Sequence, residues 1–195
     1  MNSDKKIEHI SNWIKKYISS LKFQSPSLII GVSGGIDSAV TSTLCCKTGF
    51  KTIAVSMPIK QNASQHDLSL KHLDWLNTNF NNVDTMIIEL DDVFKSFEKT
   101  MTDFNNKLAF ANSRSRLRMV TLYQIAQANN GIVVGTGNKV EDFGVGFYTK
   151  YGDGGVDISP IADCTKTDVW KMGKSLGVIN EIIEAAPTDG LWDDS

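Results

Sequence analysis

The chain has 195 residues, of which 41% are hydrophobic and 22% are charged, so we expect residues 1–195 to form a single globular domain. Its 20 basic and 22 acidic residues give a net charge of −2, which argues against a nucleic-acid partner. The sequence has neither an apolar leader segment nor an apolar run long enough to span a bilayer, so we expect a cytoplasmic protein without a membrane partner.

Predicted helices and strands alternate along the chain. Helices are expected at residues 5–21, 37–47, 67–79, 91–101, 111–129, 166–176 and 180–185, and strands at residues 27–32, 52–57, 85–90 and 131–134. Asp91 or Asp92 is the expected cap of the fourth helix, and residues 143–158 are too rich in glycine and aromatic residues for either element. The alternation predicts an α/β fold of Rossmann-like type, with a parallel sheet covered by helices on both faces.

A glycine-rich turn directly follows the first predicted strand. Residues 31–38 read Gly-Val-Ser-Gly-Gly-Ile-Asp-Ser, after the apolar run at 28–30. Glycines let the backbone approach an anion, and the N–H groups at the start of the following helix point toward it. The loop has neither the Lys-Ser/Thr end of a P-loop nor the Gly-x-Gly-x-x-Gly spacing of dinucleotide-binding folds. It therefore predicts a pyrophosphate site of a different kind.

This loop resembles that of the ATP pyrophosphatases, which cleave ATP between its α- and β-phosphates. Two further segments narrow the resemblance: Gly-Thr-Gly-Asn at 135–138 and Thr-Lys-Tyr-Gly-Asp-Gly-Gly-Val-Asp-Ile at 149–158. With residues 187–192, they follow the order found in the ammonia-dependent NAD synthetases, the family to which the chain is similar. The resemblance implies an adenine nucleotide α-hydrolase-like fold. It also implies the ATP- and Mg²⁺-dependent amidation of deamido-NAD by ammonia, through a nicotinate adenylate, to give NAD, AMP and pyrophosphate.

The same resemblance implies residues for each part of the site. Those for ATP are Gly31, Val32, Ser33, Gly34, Gly35, Ile36, Asp37, Ser38, Thr136, Lys166 and Thr188. Those for deamido-NAD are Arg116, Lys150 and Asp157, and those for Mg²⁺ are Asp37 and Glu141. Lys150 and Asp153 are the candidate catalytic residues, because they flank the expected position of the nicotinate group, and Asp153 is the candidate base for the incoming ammonium. Members of the family are homodimers, which makes the long helix around Arg116 a candidate interface.

The chemistry of these residue types agrees with several of the implied roles. Mg²⁺ prefers a few carboxylates together with substrate phosphates, and Asp37 and Glu141 supply one carboxylate from each loop. A lysine in the first turn of a helix opposes the helix dipole, so an anionic partner explains Lys166 better than a structural role does. Arginines at 114, 116 and 118 cannot share one helix face, so we expect those outside the site to be solvated.

Two other interpretations are left open by the sequence. The family normally continues beyond the last residues of this chain, and residues 187–195 would end in a lid over the site. This is the main support for a truncated, catalytically impaired homologue that binds nucleotide, and the presence of Ser33, Asp37, Glu141 and Lys166 argues against that alternative. The other alternative is a different adenylating enzyme with the same loop, which the segment at 150–157 disfavours. The three cysteines and three histidines lack metal-ligand spacing, and we expect free thiols and surface or partly buried imidazoles.

Overall fold

Four parallel strands form a sheet at the centre of the protein, in a computed structural model that describes residues 2–61 and 63–185. The strands are β1 (Ser27–Gly31), β2 (Lys51–Ser56), β3 (Val83–Ile87) and β4 (Gly131–Val134). Their order across the sheet is β3-β2-β1-β4. Strands β2 and β3 are added on one side of β1, and β4 then pairs with the other side of β1. The strand order therefore switches between β1 and β4, and sheets of this type bind ligands at the carboxyl ends of the strands at such a switch.

Helices cover both faces of the sheet. They are α1 (Ser3–Ser20), α2 (Ile36–Lys47), α3 (Ala63–Asn79), α4 (Asp91–Thr100), α5 (Lys107–Ala128), α6 (Lys166–Leu176) and α7 (Asn180–Glu184). Leu28 and Ile30 belong to an apolar cluster with α1, α2, α3 and α6, whereas Ile29 and Val133 face α4 and α5 on the opposite side. Because the strands are apolar toward both faces, the packing confirms the predicted α/β class. None of the described helices is long and apolar enough to cross a membrane.

Three elements have a boundary that differs by three or more residues from the sequence-based prediction. The α3 helix begins at Ala63 instead of residue 67. The α5 helix begins at Lys107 instead of residue 111, because the Asn106 side chain caps it by accepting a hydrogen bond from the Ala109 N–H group at 2.9 Å. Strand β3 lies at 83–87 instead of 85–90, because parallel pairing with residues 52–56 of β2 sets its register. A capping contact decides where α5 starts and strand pairing decides where β3 starts, and in neither element does the apolar pattern decide it.

The predicted cap of α4 and the predicted irregular segment also need correction. Leu90 precedes α4, and no side chain caps this helix. The Asp91 carboxylate instead accepts a hydrogen bond from the Lys60 N–H group at 2.7 Å, which ties the loop after β2 to α4. Residues Val140–Val145 form a turn of π-helix, so the first residues of the 143–158 segment are helical.

A buried polar contact joins α2 to α3. The Ser42 hydroxyl lies 2.9 Å from Nε2 of His72, and the His72 ring stacks on Trp75 with 5.5 Å between ring centroids. Burial lowers the pKa of His72 to about 4. The expectation of a surface or partly buried histidine is wrong for this residue, which is 0% exposed. The contact holds the middle of α2, and the glycine-rich loop leads into the N-terminus of that helix.

Candidate functional site

The glycine-rich loop leaves the carboxyl end of β1 and begins α2, as predicted. Its hydroxyls hold its own backbone: the Ser38 hydroxyl donates to the Gly35 carbonyl at 2.9 Å and accepts from the Ser33 N–H group at 3.2 Å. Gly34 has a φ of +90°, and a Cβ atom there would lie 2.4 Å from the Gln65 carbonyl oxygen of α3. Glycine is therefore required at this position for both its conformation and its size. The loop's own residues and the start of α3 together set its shape.

Three charged side chains from separate segments meet beside this loop. Nζ of Lys166, the first residue of α6, donates to Asp37 Oδ2 at 2.5 Å and to Glu141 Oε1 at 2.8 Å. Asp37 lies in the first turn of α2, and Glu141 lies in the π-helical turn after β4. The structure thus brings together three residues that were predicted for ATP and Mg²⁺.

The electrostatics of this cluster follow from its partial burial. The side chains of Asp37 and Lys166 are 16% and 23% exposed. Burial raises the pKa of Asp37, and the hydrogen bond and charge of Lys166 offset only part of that rise. Burial alone would lower the pKa of Lys166, but its hydrogen bonds to Asp37 and Glu141 outweigh this and raise it. Lys166 is therefore cationic at neutral pH, and two carboxylates around one ammonium favour a further cation.

Asn138 has no assigned role in the sequence-based predictions, yet the structure places its side chain between the Asp37 carboxylate and the backbone of the turn that carries Glu141. Its Nδ2 donates to Asp37 Oδ1 at 3.1 Å, and its Oδ1 accepts from the N–H groups of Val140 and Glu141 at 3.0 and 3.2 Å. The residue is 0% exposed. The sequence feature that could have identified Asn138 was its position directly after a Gly-Thr-Gly turn at the end of a buried strand.

The donor set at this point suits Mg²⁺. One oxygen of Asp37 and one of Glu141 converge on the position of a single nitrogen, that of Lys166. Mg²⁺ is commonly bound through one or two carboxylates, with substrate phosphates and waters as the other ligands. The described part of the chain has no group of three or more His, Cys, Asp or Glu residues that could hold a metal ion. A site here would thus be completed by a nucleotide.

Residues predicted for deamido-NAD lie on a loop that is docked on α5. Asp153 Oδ1 accepts hydrogen bonds from the Ser115 hydroxyl at 2.8 Å and from the Thr149 N–H group at 2.9 Å. Nε of Arg116 donates to the Lys150 carbonyl at 3.2 Å. The structure therefore places Arg116, Lys150 and Asp153 side by side. Ser115 was missed, although its position next to Arg116 on the predicted helix was a usable signal.

Asp157 follows this loop and braces the edge of the sheet. Its Oδ2 accepts a hydrogen bond from the Val133 N–H group of β4 at 2.8 Å, and its Oδ1 accepts one from the Tyr123 hydroxyl at 3.0 Å. Burial, followed by the Asp157 carboxylate, raises the pKa of Tyr123 to about 12, so the phenol stays a neutral donor. Both carboxylate oxygens of Asp157 thus have protein partners.

The arginines of α5 point in different directions. Arg116 reaches the docked loop, whereas Nε of Arg118 donates to the Met57 carbonyl after β2 at 2.9 Å. Burial lowers the pKa of Arg118 to about 10. The expectation of solvation is therefore wrong for Arg118, which joins α5 to the carboxyl end of β2.

Thr136 is half-buried after β4, and Thr188 and residues 187–195 lie outside the described residues.

A cavity of about 680 Å³ lies between α3, α6 and α7 and is lined by Trp75, Trp170 and Ile183. It lies beside the C-terminal end of α6, whereas Lys166 begins that helix. The charged cluster at the switch point is thus the better candidate site.

The sequence model of the NAD synthase family matches residues 6–195. The NH(3)-dependent NAD(+) synthetase of Carboxydothermus hydrogenoformans is 36% identical over 99% of this chain and 78% of its own length, and that of Finegoldia magna is 38% identical over 99% and 77%. Among solved structures, NMN synthetase from Francisella tularensis has a TM-score of 0.89 and 34% identity over 99% of this chain and 78% of its own. NH3-dependent NAD synthetase from Campylobacter jejuni has a TM-score of 0.83 and 28% identity over 94% and 77%.

Proposed function

Since the chain belongs to the NAD synthase family, we propose that it converts deamido-NAD, ATP and ammonia to NAD, AMP and pyrophosphate in a Mg²⁺-dependent reaction. The observation that carries the proposal is the meeting of Asp37, Glu141 and Lys166 beside the glycine-rich loop, at the switch between β1 and β4. Relatives named NH(3)-dependent NAD(+) synthetases, which align over nearly the whole chain, support it.

The first half-reaction joins the nicotinate carboxylate to AMP. The carboxylate oxygen attacks the α-phosphorus of ATP, and pyrophosphate leaves with the electron pair of the broken bond. Two anions must approach each other, so their charge has to be neutralised. The loop at 31–38 offers backbone N–H groups at a helix N-terminus, and the Lys166 ammonium stands beside it. Asp37 and Glu141 would hold Mg²⁺, which neutralises phosphate charge when it is bound.

In the second half-reaction, ammonia attacks the carbonyl carbon of the adenylate, and AMP leaves. We assign Arg116, Lys150 and Asp157 to the binding of deamido-NAD. Asp153 is the candidate base that takes a proton from ammonium or from the attacking nitrogen. Ser115 and the backbone of Thr149 fix the orientation of the Asp153 carboxylate, which supports a positioned base. Lys150 lies beside it on the docked loop.

A second candidate substrate is nicotinate mononucleotide. The likeness to a structure named NMN synthetase, with a TM-score of 0.89 over 99% of this chain, favours it. The amidation chemistry is the same for both substrates, because each carries the nicotinate carboxylate. Ratios of kcat/KM for deamido-NAD and nicotinate mononucleotide decide between them, and we expect deamido-NAD to be preferred.

We also propose a homodimer with α5 in its interface, in one catalytic domain formed by residues 1–195. Phe104, Leu108 and Val120, on and just before α5, are 74%, 52% and 57% exposed, which supports cover by a second copy. Sedimentation velocity of the protein and of the Val120→Glu variant tests this, with a monomeric variant as the expected result. Cytoplasmic location is supported by three buried free thiols.

An omission assay tests the reaction itself. The protein is incubated with ATP, Mg²⁺, deamido-NAD and ammonium, each left out in turn, and AMP and NAD are separated by chromatography. We expect NAD and AMP in equal amounts only when all four are present. NAD formation that does not depend on ATP would contradict the proposal. Calorimetric binding of ATP and deamido-NAD without NAD formation would support the impaired homologue instead.

A further inference from the structure

We infer that Asn138 is a positioning residue that aligns the carboxylates of Asp37 and Glu141 for a divalent cation. The inference rests on the proposed function, because it requires that these two carboxylates bind Mg²⁺ together with the nucleotide. Its basis is the set of hydrogen bonds made by the Asn138 side chain, which reach both carboxylate-bearing segments at once.

On one side, Asn138 sets the direction of the Asp37 carboxylate. Asp37 Oδ1 accepts from Asn138 Nδ2 at 3.1 Å, and Asp37 Oδ2 accepts from Lys166 at 2.5 Å. The terminal torsion of an aspartate is soft, so a carboxylate turns easily unless a donor holds one of its oxygens. With Oδ1 held by the amide, Oδ2 is the oxygen that shares the Lys166 ammonium with Glu141 Oε1, and we assign it to the cation.

On the other side, Asn138 builds the turn that carries Glu141. Its Oδ1 accepts the N–H groups of Val140 and Glu141, and its carbonyl oxygen accepts the N–H group of Asp142 at 3.0 Å. The neighbouring Lys139 N–H group donates to the Cys164 carbonyl at 3.0 Å, just before α6. The segment is therefore fastened to the element that begins with Lys166.

A buried neutral amide suits this position better than other side chains do. It donates to a carboxylate and accepts from N–H groups with no charge of its own, and the residue is 0% exposed. An aspartate would add a negative charge beside Asp37, and an apolar residue would leave buried groups without partners. Residues that orient metal ligands typically change metal affinity when they are replaced.

The test measures Mn²⁺ binding in the presence of α,β-methylene-ATP, a nucleotide that cannot be cleaved at the reacting bond. Free Mn²⁺ is followed by electron paramagnetic resonance, which does not depend on turnover. Asn138→Ser keeps a hydroxyl that can cap the Val140 turn but is too short to reach Asp37. Asn138→Ala loses both contacts. Asn82→Ala is the matched control, because the Asn82 amide also bridges two segments, donating to the Cys46 and Phe50 carbonyls at the opposite end of the sheet.

We expect Mn²⁺ affinity to fall about 10-fold in Asn138→Ser and further, up to about 100-fold, in Asn138→Ala. Asn82→Ala should lose stability without losing Mn²⁺ affinity. Nucleotide affinity measured in EDTA should stay the same in all three variants, and excess Mg²⁺ should restore kcat in Asn138→Ser. If Asn138→Ser, or Asn138→Ala where it folds, matches Asn82→Ala in Mn²⁺ affinity, the inference is overturned. If the unaltered protein itself binds no Mn²⁺ with the nucleotide, the proposed metal site fails, and the inference fails with it.

Discussion

The two halves of the candidate site use their charged residues differently. In the half that we propose for ATP, called the ATP half and formed by Asp37, Glu141 and Lys166, charged side chains contact one another. In the half that we propose for the dinucleotide, called the dinucleotide half and formed by residues 115–116 and 149–157, they hold backbone groups: Arg116 binds a carbonyl, and the Asp153 and Asp157 carboxylates accept from N–H groups. Opposite charges thus organise the first half, and loop docking organises the second. Substitutions in the ATP half should therefore change catalysis first, whereas those in the dinucleotide half should change stability as well as binding.

The largest effect is expected for Asp37→Asn. This variant keeps the size of the side chain but removes a charge that faces Lys166 at 2.5 Å and the proposed cation. We expect kcat for pyrophosphate release to fall roughly 100- to 1,000-fold, comparable with the loss of an electrostatic group that stabilises a transition state. Asp92→Asn, in the first turn of α4 and paired with Lys95, is the control and should keep full activity. Unchanged pyrophosphate release in Asp37→Asn would break the assignment of the ATP half.

The next effect concerns His72, whose contact with Ser42 holds the helix that follows the glycine-rich loop. The pKa of the buried His72 is about 4, below its ordinary value near 6.5, so folding favours the neutral imidazole. The neutral imidazole contributes fully to the free energy of unfolding above about pH 6.5, and this contribution is lost as the pH falls toward 4. The pKa shift corresponds to a contribution of about 3 kcal/mol at most. Urea unfolding between pH 4 and 7.5 measures this against His72→Gln, which lacks the titrating group. Parallel stability curves for the two proteins would show that His72 does not titrate in this way.

A pair of glycine substitutions separates loop packing from backbone strain. Gly34 and Gly49 both have positive φ, of 90° and 81°, but a Cβ atom at Gly34 would meet the Gln65 carbonyl at 2.4 Å, whereas one at Gly49 meets nothing within 4 Å. We expect Gly49→Ala to cost about 1 kcal/mol through strain alone, and Gly34→Ala to cost about 1–3 kcal/mol more through overpacking. Urea unfolding gives the costs, and calorimetry should show weaker ATP binding only for Gly34→Ala. Equal costs would mean that α3 does not shape the loop.

Features of this molecule that are set by neighbouring residues can be predicted from the sequence, whereas features that depend on contacts between distant segments cannot. The alternation of elements and the turn at residues 31–38 are local, and the structure confirms both. The start of α5 was also readable, because Asn106 is a typical capping residue. The register of β3 and the two-sided contact of Asn138 were not, since each depends on which distant segments meet. The roles of the predicted site residues stay predictions, although the structure gathers most of those it describes at two neighbouring places.

The smallest effect tests whether Asp157 only stabilises the fold or also binds the dinucleotide. Tyr123→Phe removes only the hydroxyl that donates to Asp157 Oδ1 at 3.0 Å and leaves the bond from the Val133 N–H group to Oδ2. We expect a loss of about 1 kcal/mol in the free energy of unfolding, the usual net value of one hydrogen bond. Because Asp157 then turns more freely, the KM for deamido-NAD should rise while the KM for ATP stays the same. Tyr17→Phe, on the half-exposed side of α1, is the control for loss of a phenol hydroxyl. Equal changes in both KM values would mean that Asp157 supports the whole switch point through β4, and its assignment to the dinucleotide would have to be withdrawn.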